Sequence, residues 1–193
     1  MPLIHLVRHA RPAAGWGQDT DPGLDPIGFA QARTTADELA KALERTPIYS
    51  SPLRRCRETA QALERSWDRV ATICHPVAEI PAPPLDLTAR HAWLMQAMQG
   101  NWHELQKSAP DGSSDYLQWR EALLAHLASL SHECVIFTHF IAINVAVGAA
   151  RNTDAVVCFR PDHASVTTIE TTGASVRVVR LGREADTTIL TRS

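Results

Sequence analysis

Five polar side chains, each next to a short apolar run, have the types needed for chemistry on an anion. They are Arg8, His9, Ser51, Arg55 and His139. Two imidazoles and two guanidiniums gathered in one cleft need an anion to offset their charge. Phosphate suits arginine because the planar guanidinium makes paired, charge-assisted hydrogen bonds. The residue types therefore indicate a phosphate site.

These side chains can converge only if the strands that precede them lie side by side. Leu3 to Val7, Ile48 to Ser50 and Val135 to Thr138 are short apolar runs, as expected of buried strands. Strands that alternate with helices predict a three-layer α/β/α domain with a largely parallel central sheet. The carboxyl ends of such strands share one edge, where ligands bind. Arg55 would lie in the first helical turn, where free N–H groups favour an anion.

The rest of the chain fits a single domain over residues 1–193. The segment Cys74 to Leu87 holds four prolines and is predicted to be a loop. Thr172-Gly173 predicts a hairpin between two strands near the end of the chain. Helices are predicted after Asp25-Pro26, from Ser51-Pro52 to about Ser66, around Trp93 to Trp102, from Tyr116 to Leu130 and from Ile141 to Ala150.

Composition excludes several classes of function. Lys and Arg total 19 against 21 for Asp and Glu, a net charge of −2, so no general affinity for nucleic acid or an anionic membrane is expected. The four cysteines form no C-x-x-C pair, which argues against a zinc knuckle and for a reducing compartment. No stretch approaches the roughly 18 apolar residues of a membrane span. We expect a soluble, cytoplasmic protein of undetermined oligomeric state.

Three ordered motifs resemble those of the histidine phosphatase superfamily, which includes the phosphoglycerate mutases. Leu6-Val7-Arg8-His9-Ala10 is similar to its first signature, and Ser50 to Ala60 to its second. Phe137-Thr138-His139 resembles the third, and the stretch around Gly28 a helix opening common in the family. The resemblance spans nearly the whole chain. It implies a phosphoglycerate mutase-like fold and a histidine acid-type phosphatase, a phosphoric monoester hydrolase.

By that resemblance His9 is the nucleophile, and Arg8, Arg55 and His139 complete the phosphate pocket. A neutral imidazole can attack phosphorus and carry the phosphoryl group, while fixed donors stabilise the charge on its oxygens. No metal and no cofactor is implied. The family often takes its general acid from the segment after the second motif, where Glu79 is the candidate and Asp86 the reserve. Glu79 could equally be an exposed loop carboxylate.

Departures from the family pattern bear on the substrate, a small phosphorylated molecule. Phe140 stands where many members have Gly and could narrow the pocket or line it for an apolar substrate. Trp16 follows the nucleophile and could also touch substrate. His163 lies just before a predicted strand and could approach the site, although a structural role is expected, and Arg11 could face either the anion or solvent.

The segments with which mutases handle their substrate look absent, which favours hydrolysis. A mutase-type phosphotransferase, a phosphohistidine-protein phosphatase and a catalytically silent phosphate-binding module stay open as alternatives.

Overall fold

A computed structural model describes residues 1–15, 17–173 and 175–185. Its six strands are β1 (Leu3–Arg8), β2 (Ile48–Ser50), β3 (Thr72–Ile73), β4 (Cys134–Thr138), β5 (Val166–Thr172) and β6 (Ser175–Arg180). Its six α-helices are α1 (Pro26–Ala42), α2 (Arg54–Trp67), α3 (Leu87–Ala97), α4 (Trp102–Lys107), α5 (Tyr116–Ser129) and α6 (Phe140–Ala150). One turn of 3₁₀-helix covers His75–Val77.

The strands form one mixed sheet in the order β3-β2-β4-β1-β5-β6. The first four run parallel, whereas β5 pairs antiparallel with β1 and β6 antiparallel with β5. The prediction of a largely parallel sheet is therefore confirmed. The predicted hairpin is also present, and Gly173 at its turn has a φ of 54°, a conformation that glycine adopts without the usual steric cost.

Alternating side chains of the central strands face opposite sides of the sheet, which makes it the middle of three layers. On β1 and β4, Leu6 and Ile136 join a core with α4, α5 and α6, while Val7 and Phe137 join a core with α1 and α2. All four are nearly inaccessible to solvent. This alternation is the period-2 pattern of a strand buried on both faces.

Two predicted boundaries differ from the structure. Helix α2 begins at Arg54 rather than at Ser51-Pro52. The side chain of its N-cap residue, Leu53, makes no capping hydrogen bond. The Ser51 hydroxyl accepts from the Leu53 N–H at 3.3 Å, before the helix, and the carboxylate of Asp21 accepts from the Arg54 N–H at 2.8 Å. The helical region around Trp93 to Trp102 is two helices, because the Asn101 side chain caps α4 and starts it afresh.

The short strand β3 was not predicted. Its two residues pair with Tyr49 and Ser50, and both are exposed, so no apolar pattern marks them. Across the part of the chain that the structure describes, no helix is long and apolar enough to cross a membrane.

Candidate active site

The sheet order brings the three polar junctions together. β4 lies between β2 and β1, and Arg8 pairs in register with Thr138. The His9 N–H donates to the Thr138 carbonyl at 2.9 Å, and the Ser51 N–H donates to the Phe137 carbonyl at 2.9 Å. The His9 and His139 rings consequently lie with their centroids 5.3 Å apart at the carboxyl edge of the sheet.

The hydrogen bond of His9 determines which of its ring nitrogens is free. Nδ1 lies 2.9 Å from the carbonyl oxygen of Ala10, which can only accept, so Nδ1 carries the proton and Nε2 the lone pair. Burial lowers the pKa of His9 well below 6.5, with His139, Arg55 and Arg8 adding repulsion. His9 is therefore a neutral imidazole at neutral pH.

His139 is held from behind by the second motif. Its Nε2 lies 2.7 Å from the Ser51 hydroxyl and 3.3 Å from the Cys56 thiol, all three residues being buried. Burial and the charges of Arg55 and Arg8 lower the pKa of His139 well below 6.5. Cys56 thus lines the site, and burial raises the pKa of its thiol.

Arg55 is the one arginine of the second motif that turns into the protein. Arg54 and Arg57 pair with carboxylates of their own helix, Glu58 and Glu64, at 2.7 and 3.2 Å. The Arg55 side chain is only 6% exposed, and its nearest ion-pair contact is Asp21 at 3.7 Å. Its position in the first turn of α2 adds the dipole of that helix to its own charge.

A single hydroxyl ties the first motif to the second. Thr59, buried on α2, accepts from the Ala10 N–H at 3.0 Å and donates to the Arg55 carbonyl at 2.6 Å. The loop after His9 is thus fixed to the turn that carries Arg55. Thr59 belongs to the matched second motif, but the sequence does not reveal that it bridges the two motifs.

Arg8 is enclosed by groups that come from two other parts of the chain. Its Nη1 donates to the Pro161 carbonyl at 2.8 Å, and its Nη2 lies 3.1 Å from Nε2 of His163. Its guanidinium carbon stands 5.0 Å from the centroid of the Phe140 ring, within reach of a cation–π interaction. Burial lowers the pKa of Arg8 to about 10, so it stays a cation at neutral pH.

His163 is part of this site, although the sequence favoured a structural role. Its ring centroid is 5.8 Å from that of His9. Burial and the charge of Arg8 lower its pKa to about 3, which keeps it neutral. Its position just before a predicted strand indicates that it could approach the site, but only the folded chain shows that residue 163 contacts residue 8.

Glu79 is buried, so the alternative of an exposed loop carboxylate is wrong. Its Oε1 accepts from the Ile80 and Ile141 N–H groups at 3.0 and 3.2 Å, the second of these in the first turn of α6. Burial raises its pKa, against the opposing charges of Arg55 and Arg8. Asp86, by contrast, is exposed and caps α3 through the Ala89 N–H at 2.8 Å.

Two further predictions concern the loop after His9. Trp16 lies outside the described residues. Arg11 makes an ion pair with Asp25 at 2.6 Å and is 44% exposed, so its charge is largely met by that carboxylate. Within residues 1–15, 17–173 and 175–185, no cluster of three or more His, Cys, Asp or Glu side chains is arranged to hold a metal ion.

The chain as a whole matches a known family. Residues 4–184 match the model of the histidine phosphatase superfamily, branch 1. The match covers nearly the entire chain and includes all three polar junctions. The protein belongs to the histidine phosphatase superfamily.

Comparison with an individual protein gives a match over only part of the chain. A metal-independent phosphoserine phosphatase of Arabidopsis thaliana is 31% identical over 117 residues, which are 58% of this chain and 44% of that protein. The chain thus spans less than half of the length of that relative.

Among solved structures, Bacillus stearothermophilus YhfR matches with a TM-score of 0.76 at 19% identity, over 93% of this chain and 96% of that one. A mycobacterial glucosyl-3-phosphoglycerate phosphatase matches with a TM-score of 0.73 at 20% identity, over 96% and 100%. At these identities the two structures show a shared fold.

Proposed function

We propose that this protein is a metal-independent phosphomonoesterase of the histidine acid type that works through a phosphohistidine on His9. One observation carries the proposal: the Nδ1 proton of His9 is bound to the Ala10 carbonyl, which leaves the Nε2 lone pair beside two guanidiniums. Membership of the superfamily supports it. The printed name of the Arabidopsis relative also supports catalysis without a metal.

In the first step, Nε2 of His9 attacks the phosphorus of a phosphomonoester in line with the ester oxygen. The new N–P bond forms as the P–O bond to the leaving group breaks. The leaving oxygen takes the proton of Glu79 and departs as an alcohol. Burial suits Glu79 to this task because the raised pKa lets the carboxyl hold a proton that an exposed one would lose.

In the second step, water attacks the phosphorus of phosphohistidine. The Glu79 carboxylate accepts a proton from that water, the new O–P bond forms and the P–N bond breaks. Orthophosphate leaves, and both His9 and Glu79 return to their starting states. Splitting one displacement into two lets the same pair of groups act on each side of the intermediate.

The cations would supply most of the stabilisation. In phosphoryl transfer, charge spreads over three equatorial oxygens, and fixed positive donors lower the barrier. Arg55 adds a buried guanidinium at a helix N-terminus, and Arg8 adds a second one held in place on two sides. A neutral His139 can still donate through a ring N–H.

The test is hydrolysis of p-nitrophenyl phosphate in EDTA by wild type, His9→Ala and a control, His103→Ala. His103 is an exposed histidine of α4 that pairs with Asp154 and contacts none of the described site residues named above. We expect wild type and control to be equally active, and His9→Ala to lose at least about 10³-fold. A labelled phosphohistidine should be trapped by rapid acid quenching of wild type alone.

Retention of activity in His9→Ala, or loss of wild-type activity in EDTA that added metal restores, would contradict the proposal. Natural esters can be tested next. Phosphoserine and glucosyl-3-phosphoglycerate are suitable first candidates because relatives bear those names.

A further inference from the structure

We infer that His163 is a positioning residue that holds the Arg8 guanidinium in the orientation needed to bind the phosphoryl group. The role of His163 in phosphoryl binding rests on the proposed function, whereas its contact with Arg8 is a feature of the structure itself. It concerns a histidine that no motif of the chain includes. Three observations support it: the tautomer of His163, the surroundings of Arg8 and the backbone turn that carries His163.

The contact between Arg8 and His163 fixes the state of the imidazole. Guanidinium nitrogens can only donate, so His163 Nε2, 3.1 Å from Nη2 of Arg8, must accept. His163 is then neutral, with its proton on Nδ1. A hydrogen bond between a cation and a neutral acceptor is stronger than one between two neutral groups. His163 thus acts on Arg8 as an acceptor and leaves its positive charge intact.

Arg8 is constrained on several sides but keeps donors free. Pro161 holds Nη1, His163 holds Nη2, and the Phe140 ring faces the guanidinium carbon. The Nε–H is buried and has no hydrogen-bond partner among the described residues. A buried donor without a partner is costly unless a ligand satisfies it. Each Nη nitrogen has a second hydrogen that neither Pro161 nor His163 uses, and these two hydrogens stay available to an oxyanion.

The backbone turn after His163 holds the His163 ring beside Arg8. Ala164 is buried and adopts a left-handed φ of 55°, which is unfavourable for a residue with a Cβ. Its N–H donates to the Arg8 carbonyl at 3.1 Å, and its own carbonyl accepts from Thr35 at 2.8 Å. The Arg8 N–H donates to the Ser165 carbonyl at 3.2 Å. The turn is thus bonded to the same residue whose side chain His163 holds.

The test compares His163→Leu, which removes the acceptor at similar size, with His163→Gln, whose Oε1 can replace Nε2. Inhibition by orthovanadate and binding of orthophosphate by calorimetry are measured for both. We expect His163→Leu to weaken phosphate and vanadate binding by about 10- to 100-fold, the effect of one hydrogen bond to a charged group. His163→Gln should recover most of that loss. Thermal unfolding checks that all variants are folded.

A second comparison separates positioning from a general structural role. In an Arg8→Ala background the guanidinium is gone, so His163→Leu should change binding by less than about 3-fold. An equal loss with and without Arg8, or a His163→Gln variant no better than His163→Leu, would overturn the inference. Because binding is measured without turnover, a protein that binds phosphate but hydrolyses no ester would refute the proposed function and leave this inference standing.

Discussion

Replacing Glu79 by Gln separates two properties of this carboxyl, its proton and its buried charge. Gln has nearly the same shape and keeps an oxygen that can accept from the Ile80 and Ile141 N–H groups. What it lacks is a proton that can be transferred. The substitution therefore tests general acid catalysis with little change in packing.

The expected loss depends on the leaving group. Positioned proton transfer contributes about 10²–10⁴-fold, so hydrolysis of an alkyl phosphate should fall by that factor in Glu79→Gln. An aryl leaving group such as p-nitrophenolate departs without a proton, and the loss in its release should be below about 10-fold. Burst kinetics with both esters, at equal enzyme concentration, measure the first step directly.

The same substitution should stabilise the folded protein. Burial raises the pKa of Glu79 above its ordinary value of 4.5, so the folded state binds this proton more tightly than the unfolded chain does. Ionised Glu79 consequently lowers the free energy of unfolding at a pH above its folded-state pKa, and this penalty disappears below the ordinary value. Urea unfolding should show Glu79→Gln gaining stability over wild type as pH rises from 4 to 8.

The matched control is Asp86→Asn, which removes an exposed carboxylate and retains an oxygen to cap α3. This substitution should leave the rates of hydrolysis of both esters unchanged. If Asp86→Asn lost alkyl phosphatase activity and Glu79→Gln did not, the assignment of the acid would be refuted. If Glu79→Gln slowed the release of the aryl and the alkyl leaving groups equally in the first step, its carboxyl would act on the site without donating a proton.

Two further predictions concern the loop after His9 and the charge of the site. A Cβ on Gly28 would overlap the Arg11 carbonyl oxygen, so Gly28→Ala should lower the free energy of unfolding by about 1–3 kcal/mol. Gly100→Ala is the control, because a Cβ there would have no neighbour nearer than 3.8 Å and should change this free energy little. Equal effects of the two substitutions in urea unfolding would contradict this prediction. The depressed pKa values of His9 and His139 predict that their NMR ring signals, assigned by single substitution, keep their neutral shifts as pH falls through 6.5, and a midpoint at or above 6.5 would contradict the burial argument.

Sequence could predict those site residues that directly follow a strand. Apolar runs located β1, β2 and β4, and the sheet order then placed His9, Ser51 and His139 at one edge. The choice of Arg55 over its neighbours came from motif position. The structure supplies the physical reason, since Arg54 and Arg57 pair with carboxylates of their own helix, whereas the Arg55 side chain is buried.

The parts that could not be predicted depend on contacts between distant loops. His163 reaches Arg8 across 155 positions of sequence, and only the left-handed turn at Ala164 directs it there. The burial of Glu79 depends on α6, whose first turn donates to its carboxylate. The helix predicted to start at Ser51-Pro52 starts later, because the Ser51 hydroxyl bonds His139 and the N–H of Leu53. The N–H of Arg54 is instead bonded by Asp21 from another loop.

The electrostatics of the site link substrate binding to protonation. Because burial holds His9, His139 and His163 neutral, the positive charge of the pocket comes from Arg8 and Arg55, two charges in all. That is the charge a phosphomonoester dianion would balance, provided that Glu79 is protonated.

Both guanidiniums oppose the raised pKa of Glu79, and a bound dianion would engage them and add a negative charge nearby. Each effect raises the pKa of Glu79 further. A dianion in the pocket would therefore increase the fraction of Glu79 that holds a proton, which the carboxylate takes up from solvent before the leaving oxygen needs it.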